Sequence, residues 1–266
     1  MHELVDIGAN LAHDSFDDDR HDVLARARDA GVAQIVLTGS SDASNRDASE
    51  LAIAHPEFLY STAGMHPHHA GDYNDDSDRL IRELVQLPHV VAVGECGLDY
   101  FRNYSPHDAQ LDAFRRQLDI AIDSQKPVFL HQRDAHDDYL AVLDPLLGKL
   151  SRAVTHCFTG SESELRDYID RDLYVGITGW ICDERRGVHL QDIVHLIPDD
   201  RLMIETDAPY LLPRTIRPKP KSRRNEPHYL TEVLEMVARC RRQDVETVAR
   251  LTTDNARRFF ALGKAD

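Results

Sequence analysis

Val90-Val91-Ala92-Val93 runs into Gly94-Glu95-Cys96-Gly97-Leu98-Asp99, and after a segment opening at Ser105-Pro106 comes Val128-Phe129-Leu130-His131. These residues read as a strand, a helix and a second strand. The two apolar runs are short and continuous, the pattern of strands buried on both faces. Between them, Ala113-Phe114, Leu118 and Ala121-Ile122 recur at helical spacing, behind a capping serine and a proline suited to the first helical position. The alternation continues both ways. Leu4–Ile7, Gln34–Leu37 and Leu59–Ala63 precede it, and Ala153–Thr155, Tyr174–Ile177 and Leu202–Ile204 follow. Their ends recur at about 30 residues, the size of a βα unit linking parallel strands. Ser161 and Glu164 have capping-box spacing, and Asp244 or Thr247 opens a last helix reaching Phe259-Phe260. No linker or low-complexity tract divides the chain. The reading is an α/β fold, a (β/α)8 TIM barrel with an extra C-terminal helix, in one domain over residues 1–266; a doubly wound open sheet shares the local signature.

The chain of 266 residues carries a net charge of −15, with 31 Lys and Arg against 46 Asp and Glu. That balance argues against coating nucleic acid through bulk charge, while leaving room for phosphodiester chemistry in a local metal site. The start lacks the basic and apolar regions of a secretory signal, and no apolar run approaches the ~18–20 residues of a membrane span. Cys96, Cys157, Cys182 and Cys240 show no CxxC spacing, which fits a reducing compartment. The expectation is a cytoplasmic protein without membrane contact, acting as a monomer.

In a barrel of this type the active site lies at the C-terminal ends of the strands. Glu95, His131, His156 and Asp207 all stand at expected strand ends. Two imidazoles and two carboxylates make a mixed nitrogen and oxygen set suited to a divalent cation with a position open to water. Asp207 is a candidate to take the proton from an attacking water. A lone histidine at a strand end is often structural, but four such residues at four strand ends are harder to assign that way.

At these residues the sequence resembles the TatD family of metal-dependent deoxyribonucleases, of the amidohydrolase-like superfamily. The resemblance rests on Ser61-Thr62-Ala63-Gly64-Met65-His66-Pro67-His68, Gly94–Asp99 and Pro127–Ala135, with His156–Gly160, Ile204–Leu212 and Arg223–Pro227, and so covers nearly the whole chain. It implies divalent-metal binding by Glu95, His131, His156 and Asp207, a groove for single-stranded nucleic acid, and hydrolysis from the 3′ end. Many members carry Asp-x-His-x-His after the first strand, whereas this chain has Asp6-Ile7-Gly8-Ala9-Asn10, as a bacterial subgroup does. Losing two imidazoles favours a more oxygen-rich coordination, so Mg²⁺ is expected ahead of Mn²⁺ or Zn²⁺. One ion is expected on Glu95, His131 and His156, and a weaker or substrate-dependent second near Asp207.

Other residues carry two readings each. His66 and His68 either contact the scissile phosphate or cap the barrel mouth around Pro67. Residues 213–224 hold six bases and no acid, so Arg217, Lys219 and Lys221 either draw in the phosphate backbone or belong to a solvated loop. Trp180 either stacks a base or closes the barrel core. Arg133 and Asn225 are further substrate candidates, and Cys96 and Cys157 read as packed thiols. The expected activity is 3′–5′ exonuclease hydrolysis of single-stranded DNA, with RNA as a further substrate, using Asp207, Glu95, His66 and His68 in catalysis. The alternatives are a metal-dependent hydrolase of a lactone, amide or small phosphoester, or a non-catalytic single-strand-binding protein.

Overall fold

All eight apolar runs form strands in the computed structural model, which describes residues 2–263; residue 1 and residues 264–266, the ends of the expected domain, lie outside the described residues. The strands are β1 (Leu4–Ala9), β2 (Val32–Leu37), β3 (Leu59–Ala63), β4 (Val90–Asp99), β5 (Val128–Arg133), β6 (Ala153–Thr155), β7 (Tyr174–Ile177) and β8 (Leu202–Ile204). The helices are α1 (Arg20–Asp29), α2 (Asp42–Ala54), α3 (Asp75–Leu84), α4 (His107–Ser124), α5 (His136–Leu143), α6 (Glu162–Asp170), α7 (Val188–Ile193), α8 (Leu230–Arg241) and α9 (Val245–Phe260). The strands form one sheet in chain order, β1 through β8. With a helix after each strand and α9 in addition, this is the (β/α)8 barrel with an extra C-terminal helix, and not an open doubly wound sheet, whose strand order would reverse. Among the described residues no helix is long and apolar enough to cross a membrane.

Packing divides the chain into two units, one running to Leu37 and resuming at Cys157, the other spanning Thr38–His156. In the first, β1 pairs with β2 and β7 with β8, all parallel, and Ala9 bridges Ala208 just beyond β8. That bridge brings the last strand back to the first. Helix α9 packs on β1 and β8, burying Val248, Phe259 and Phe260. Asp244 caps it by accepting the Thr247 N–H, and Ser161 and Glu164 form the expected capping box on α6.

In the second unit β3, β4, β5 and β6 run parallel in that order. Strand β4 extends through Gly94-Glu95-Cys96-Gly97-Leu98-Asp99, six residues past the apolar run that marks it in the sequence. Gly94 and Gly97 adopt φ of +140° and +142°. A Cβ at Gly97 would lie 1.9 Å from the His131 carbonyl oxygen, and one at Gly94 2.2 Å from that of Phe129. The glycines therefore do not break the strand; they let β4 approach β5 closely. Helix α4 begins at His107, with Pro106 as its N-cap, and the Ser105 hydroxyl turns away from the helix to the His68 carbonyl, 3.0 Å off.

Candidate metal centre

Glu95 is the buried hub of the second unit, its side chain reached by three imidazoles. Its Oε1 lies 2.6 Å from His156 Nε2, 2.9 Å from His131 Nδ1 and 3.3 Å from His66 Nε2. His131 and Glu95 come from adjacent strands, and His156 directly follows β6. His66 opens the turn Pro67–Asp72, where Pro67 sets the backbone. Burial opposes ionisation of Glu95, but the imidazoles of His156, His66 and His131 outweigh it and hold the carboxyl well below the usual carboxylate range.

Hydrogen bonding divides the roles of the histidines. His66 Nδ1 accepts the His68 backbone N–H at 3.0 Å. A neutral His66 then carries its proton on Nε2, directed at Glu95, which makes it a donor and not a ligand in this tautomer. Burial depresses the His66 pKa to about 4, so the ring is neutral near pH 7. His131 is arranged the other way. Its Nδ1 faces Glu95, while Nε2 is buried without a hydrogen-bond partner and sits 3.4 Å from Asp99 Oδ2, off the line of a hydrogen bond. Burial lowers the His131 pKa, but Asp99 and Glu95 reverse that and raise it. Atoms of metal-ligating type on His66, Glu95 and His131 lie within 4.8 Å of one another, with His66 able to ligate only once its Nε2 proton is lost. A buried imidazole nitrogen with no partner, beside an ionised carboxylate, fits a divalent cation.

Asp99 has no role in the sequence-based expectation, yet it supports this cluster. Its Oδ2 is 2.8 Å from His68 Nε2, and its Oδ1 accepts the Arg102 backbone N–H at 2.7 Å. Burial opposes its ionisation, but the nearby His131 ring and the hydrogen bonds from His68 and Arg102 hold it far below the usual range. The available signal was its spacing: Glu95, Gly97 and Asp99 share the parity of an extended strand. Buried Cys96 alternates with them, and its thiol is pushed up by burial, as befits a packed group.

The first unit holds Asp207 just past β8. Its φ is +55°, its N–H donates to the Gly8 carbonyl at 2.8 Å, and its Oδ1 accepts Asn10 Nδ2 at 3.1 Å. Asn10 thus occupies an imidazole's place in the sequence as a donor to Asp207. Neighbouring Thr206 gives its N–H and its hydroxyl to the two oxygens of fully buried Asp6, whose carboxyl burial pushes up to about 7. Asn225 is also fully buried, donating from its amide to the Thr206 carbonyl and from its backbone to Pro209. It braces the Asp207 turn from behind. Neither link has a short-range pattern in the sequence.

The remaining candidates lie in separate places. Trp180 is half-buried, its Nε1 donating to the Arg186 carbonyl, with the Arg186 guanidinium 4.3 Å from the ring centre. It lines a cavity of about 680 Å³ together with Arg186, Arg217, Lys219 and Arg223. Arg214 and Arg224 of the basic loop pair with acids, Glu184 and Asp19 respectively. Arg217, Lys219 and Lys221 are exposed and meet no carboxylate among the described residues. Arg133, at the end of β5, lies over the Phe101 ring at 4.2 Å.

The model of the TatD-related DNases matches residues 5–261. The chain belongs to that family. Over 259 residues it is 51% identical to the Rahnella protein named 3′–5′ ssDNA/RNA exonuclease TatD, covering 97% of this chain and 98% of the relative. Among solved structures it resembles a TatD homologue from Escherichia coli K12, with a TM-score of 0.88 and 26% identity over 98% of each chain. A TatD family hydrolase from Entamoeba histolytica also gives 0.88, at 24% identity over 98% of this chain and 99% of that one. The TatD fold is thus shared along essentially the full length.

Proposed function

We propose that this TatD-family chain is a metal-dependent 3′–5′ exonuclease that hydrolyses phosphodiester bonds of single-stranded DNA and RNA, with residues 1–266 acting as one domain. The observation that carries the reading is Glu95, buried among imidazoles, beside a His131 Nε2 that makes no hydrogen bond and has the Asp99 carboxylate 3.4 Å away. Membership of the family and the exonuclease name of the Rahnella relative supply the substrate.

Glu95, His131 and His156 are the proposed ligands, with Mg²⁺ the proposed ion. When bound, the ion polarises a phosphoryl oxygen and acidifies water. His131 presents Nε2 because Glu95 fixes its Nδ1, and Glu95 stays ionised throughout the working pH range. His66 and His68 hold protons toward carboxylates and are placed to donate to a phosphate oxygen when substrate competes for them. Asp207, its oxygen oriented by Asn10, is the proposed base or further ligand, on the rule that strand C-termini of a barrel share one face. Arg133, Trp180, Arg217, Lys219 and Lys221 bind the strand, while Asn225 acts through the backbone it holds. The protein is proposed to work as a cytoplasmic monomer.

The test is digestion of 3′- and 5′-labelled single strands with Mg²⁺, Mn²⁺, Zn²⁺ or EDTA. Stepwise Mg²⁺-dependent loss of the 3′ label, abolished in Glu95→Ala and His156→Ala, is expected. Calorimetric titration should show ion binding lost in the same variants. Binding of the strand without any cleavage would overturn the reading.

A further inference from the structure

Between β4 and α4 the chain displays two aromatic rings to solvent: Phe101 is 52% exposed and Tyr104 67%. Two such rings in one short loop offer flat π surfaces that a planar partner can meet. The loop is also held firmly. The Tyr100 N–H donates to the Arg133 carbonyl at 2.9 Å, the Arg102 N–H to Asp99 Oδ1 at 2.7 Å, and the Ser105 hydroxyl to the His68 carbonyl.

These anchors belong to the metal centre itself. Asp99 is the carboxylate that also bonds His68, and Arg133 lies two residues beyond His131 on β5. The Tyr104 ring sits 4.7 Å from the His68 ring, edge to face, and His68 is 4.1 Å from His66. Phe101 has the Arg133 guanidinium at 4.2 Å and that of Arg102 at 5.7 Å. The Arg133 guanidinium thus covers one face of Phe101, and both exposed rings stand at the edge of the Glu95 cluster with their other surface turned to solvent.

We infer that Phe101 and Tyr104 form a nucleobase-stacking platform beside the metal centre, with Arg133 and Arg102 meeting the phosphates of the same strand. This rests on the nuclease reading and adds to it a site that grips bases. Stacking is tolerant of sequence because every base offers a π face, and the guanidinium groups on Phe101 suit the charged backbone. The shared Asp99 anchor ties the platform to His68 and sets its distance from the cluster.

The test compares an ordinary single strand with a matched strand that is abasic throughout its 3′ end. Dissociation constants are taken by fluorescence anisotropy in EDTA, and KM and kcat from Mg²⁺-dependent cleavage. Phe101→Ala and Tyr104→Ala should each raise Kd and KM for the ordinary strand on the order of 10-fold, the scale of one lost base stack. On the abasic strand both variants should match the wild type, and Phe101→Tyr and Tyr104→Phe should restore ordinary binding. Unchanged melting temperatures exclude a folding defect. A wild type that cuts while both alanine variants match it, or lose equally on the two strands, overturns the platform alone. A wild type that neither binds nor cuts overturns the nuclease reading and the platform together.

Discussion

Replacing Asp6 by Asn should remove a pH-dependent penalty on folding. Asp6 is fully buried, and burial raises its carboxyl from an ordinary 3.8 to about 7. Between those values the folded protein keeps a proton that the unfolded chain has released. Wild-type stability from this group therefore falls as pH rises through the window, and stops falling above about 7. Each pH unit of separation corresponds to about 1.4 kcal/mol, so moving from about pH 5 to about pH 8 costs the wild type about 3 kcal/mol through Asp6. For a chain of this length, with unfolding entropy of about 2.1 cal/mol/K per residue, that is about 5 °C in Tm. The Asn variant has no such term. It also loses an acceptor, because Asp6 uses Oδ1 for the Gly8 and Thr206 N–H groups and Oδ2 for the Thr206 hydroxyl. That loss is an offset of about 1–3 kcal/mol at every pH, and the change with pH isolates the titration. Melting both proteins in EDTA at the two pH values should show the Tm difference moving by about 5 °C in favour of Asp6→Asn at the higher pH. Parallel shifts of the two proteins would refute the reasoning.

Three further outcomes follow from particular contacts. Gly97→Ala places a Cβ 1.9 Å from the His131 carbonyl oxygen at φ +142°; it should destabilise by about 3–5 kcal/mol, from overpacking and backbone strain together, and weaken ion binding by calorimetry, whereas an unchanged Tm would contradict the tight β4–β5 approach. Asn10→Ala removes the donor to Asp207 Oδ1 and should lower kcat about 10–100-fold, the usual cost of losing a support behind a ligand or base, with KM for the strand and Tm near wild type. Neutralising Arg217, Lys219 and Lys221 together should lower the slope of log Kd against log salt by about 2, at ~0.7 per phosphate contact in a single strand; an unchanged slope would return these side chains to the solvated loop.

Much of the fold is legible along the chain because barrel strands are buried on both faces. Val128-Phe129-Leu130 and Tyr174–Ile177 therefore stand out as continuous apolar runs, and caps such as Ser161 and Asp244 depend only on residues three positions away. The clustering of Glu95, His131 and His156 was readable for a related reason. Once parallel strands are inferred, residues at their C-terminal ends have only one end of the sheet to occupy. Strand length was underestimated at β4, where the apolar run ends at Val93, since nothing local reveals that the β5 backbone requires the missing side chains of Gly94 and Gly97.

By itself, then, the sequence determined the alternation of strands and helices, the family and the donor types at the strand ends, all of which rest on short-range pattern. Tertiary structure alone decided how each donor is used. His66 accepts a backbone N–H at Nδ1, which commits its other nitrogen to a proton, while the second nitrogen of His131 makes no hydrogen bond. Asp99, Asn10 and Asp6 take their roles from partners such as His68 and, across some two hundred positions of chain, Asp207 and Thr206. Hydrogen bonds act over about 3 Å, and only the folded backbone brings such distant residues within that reach.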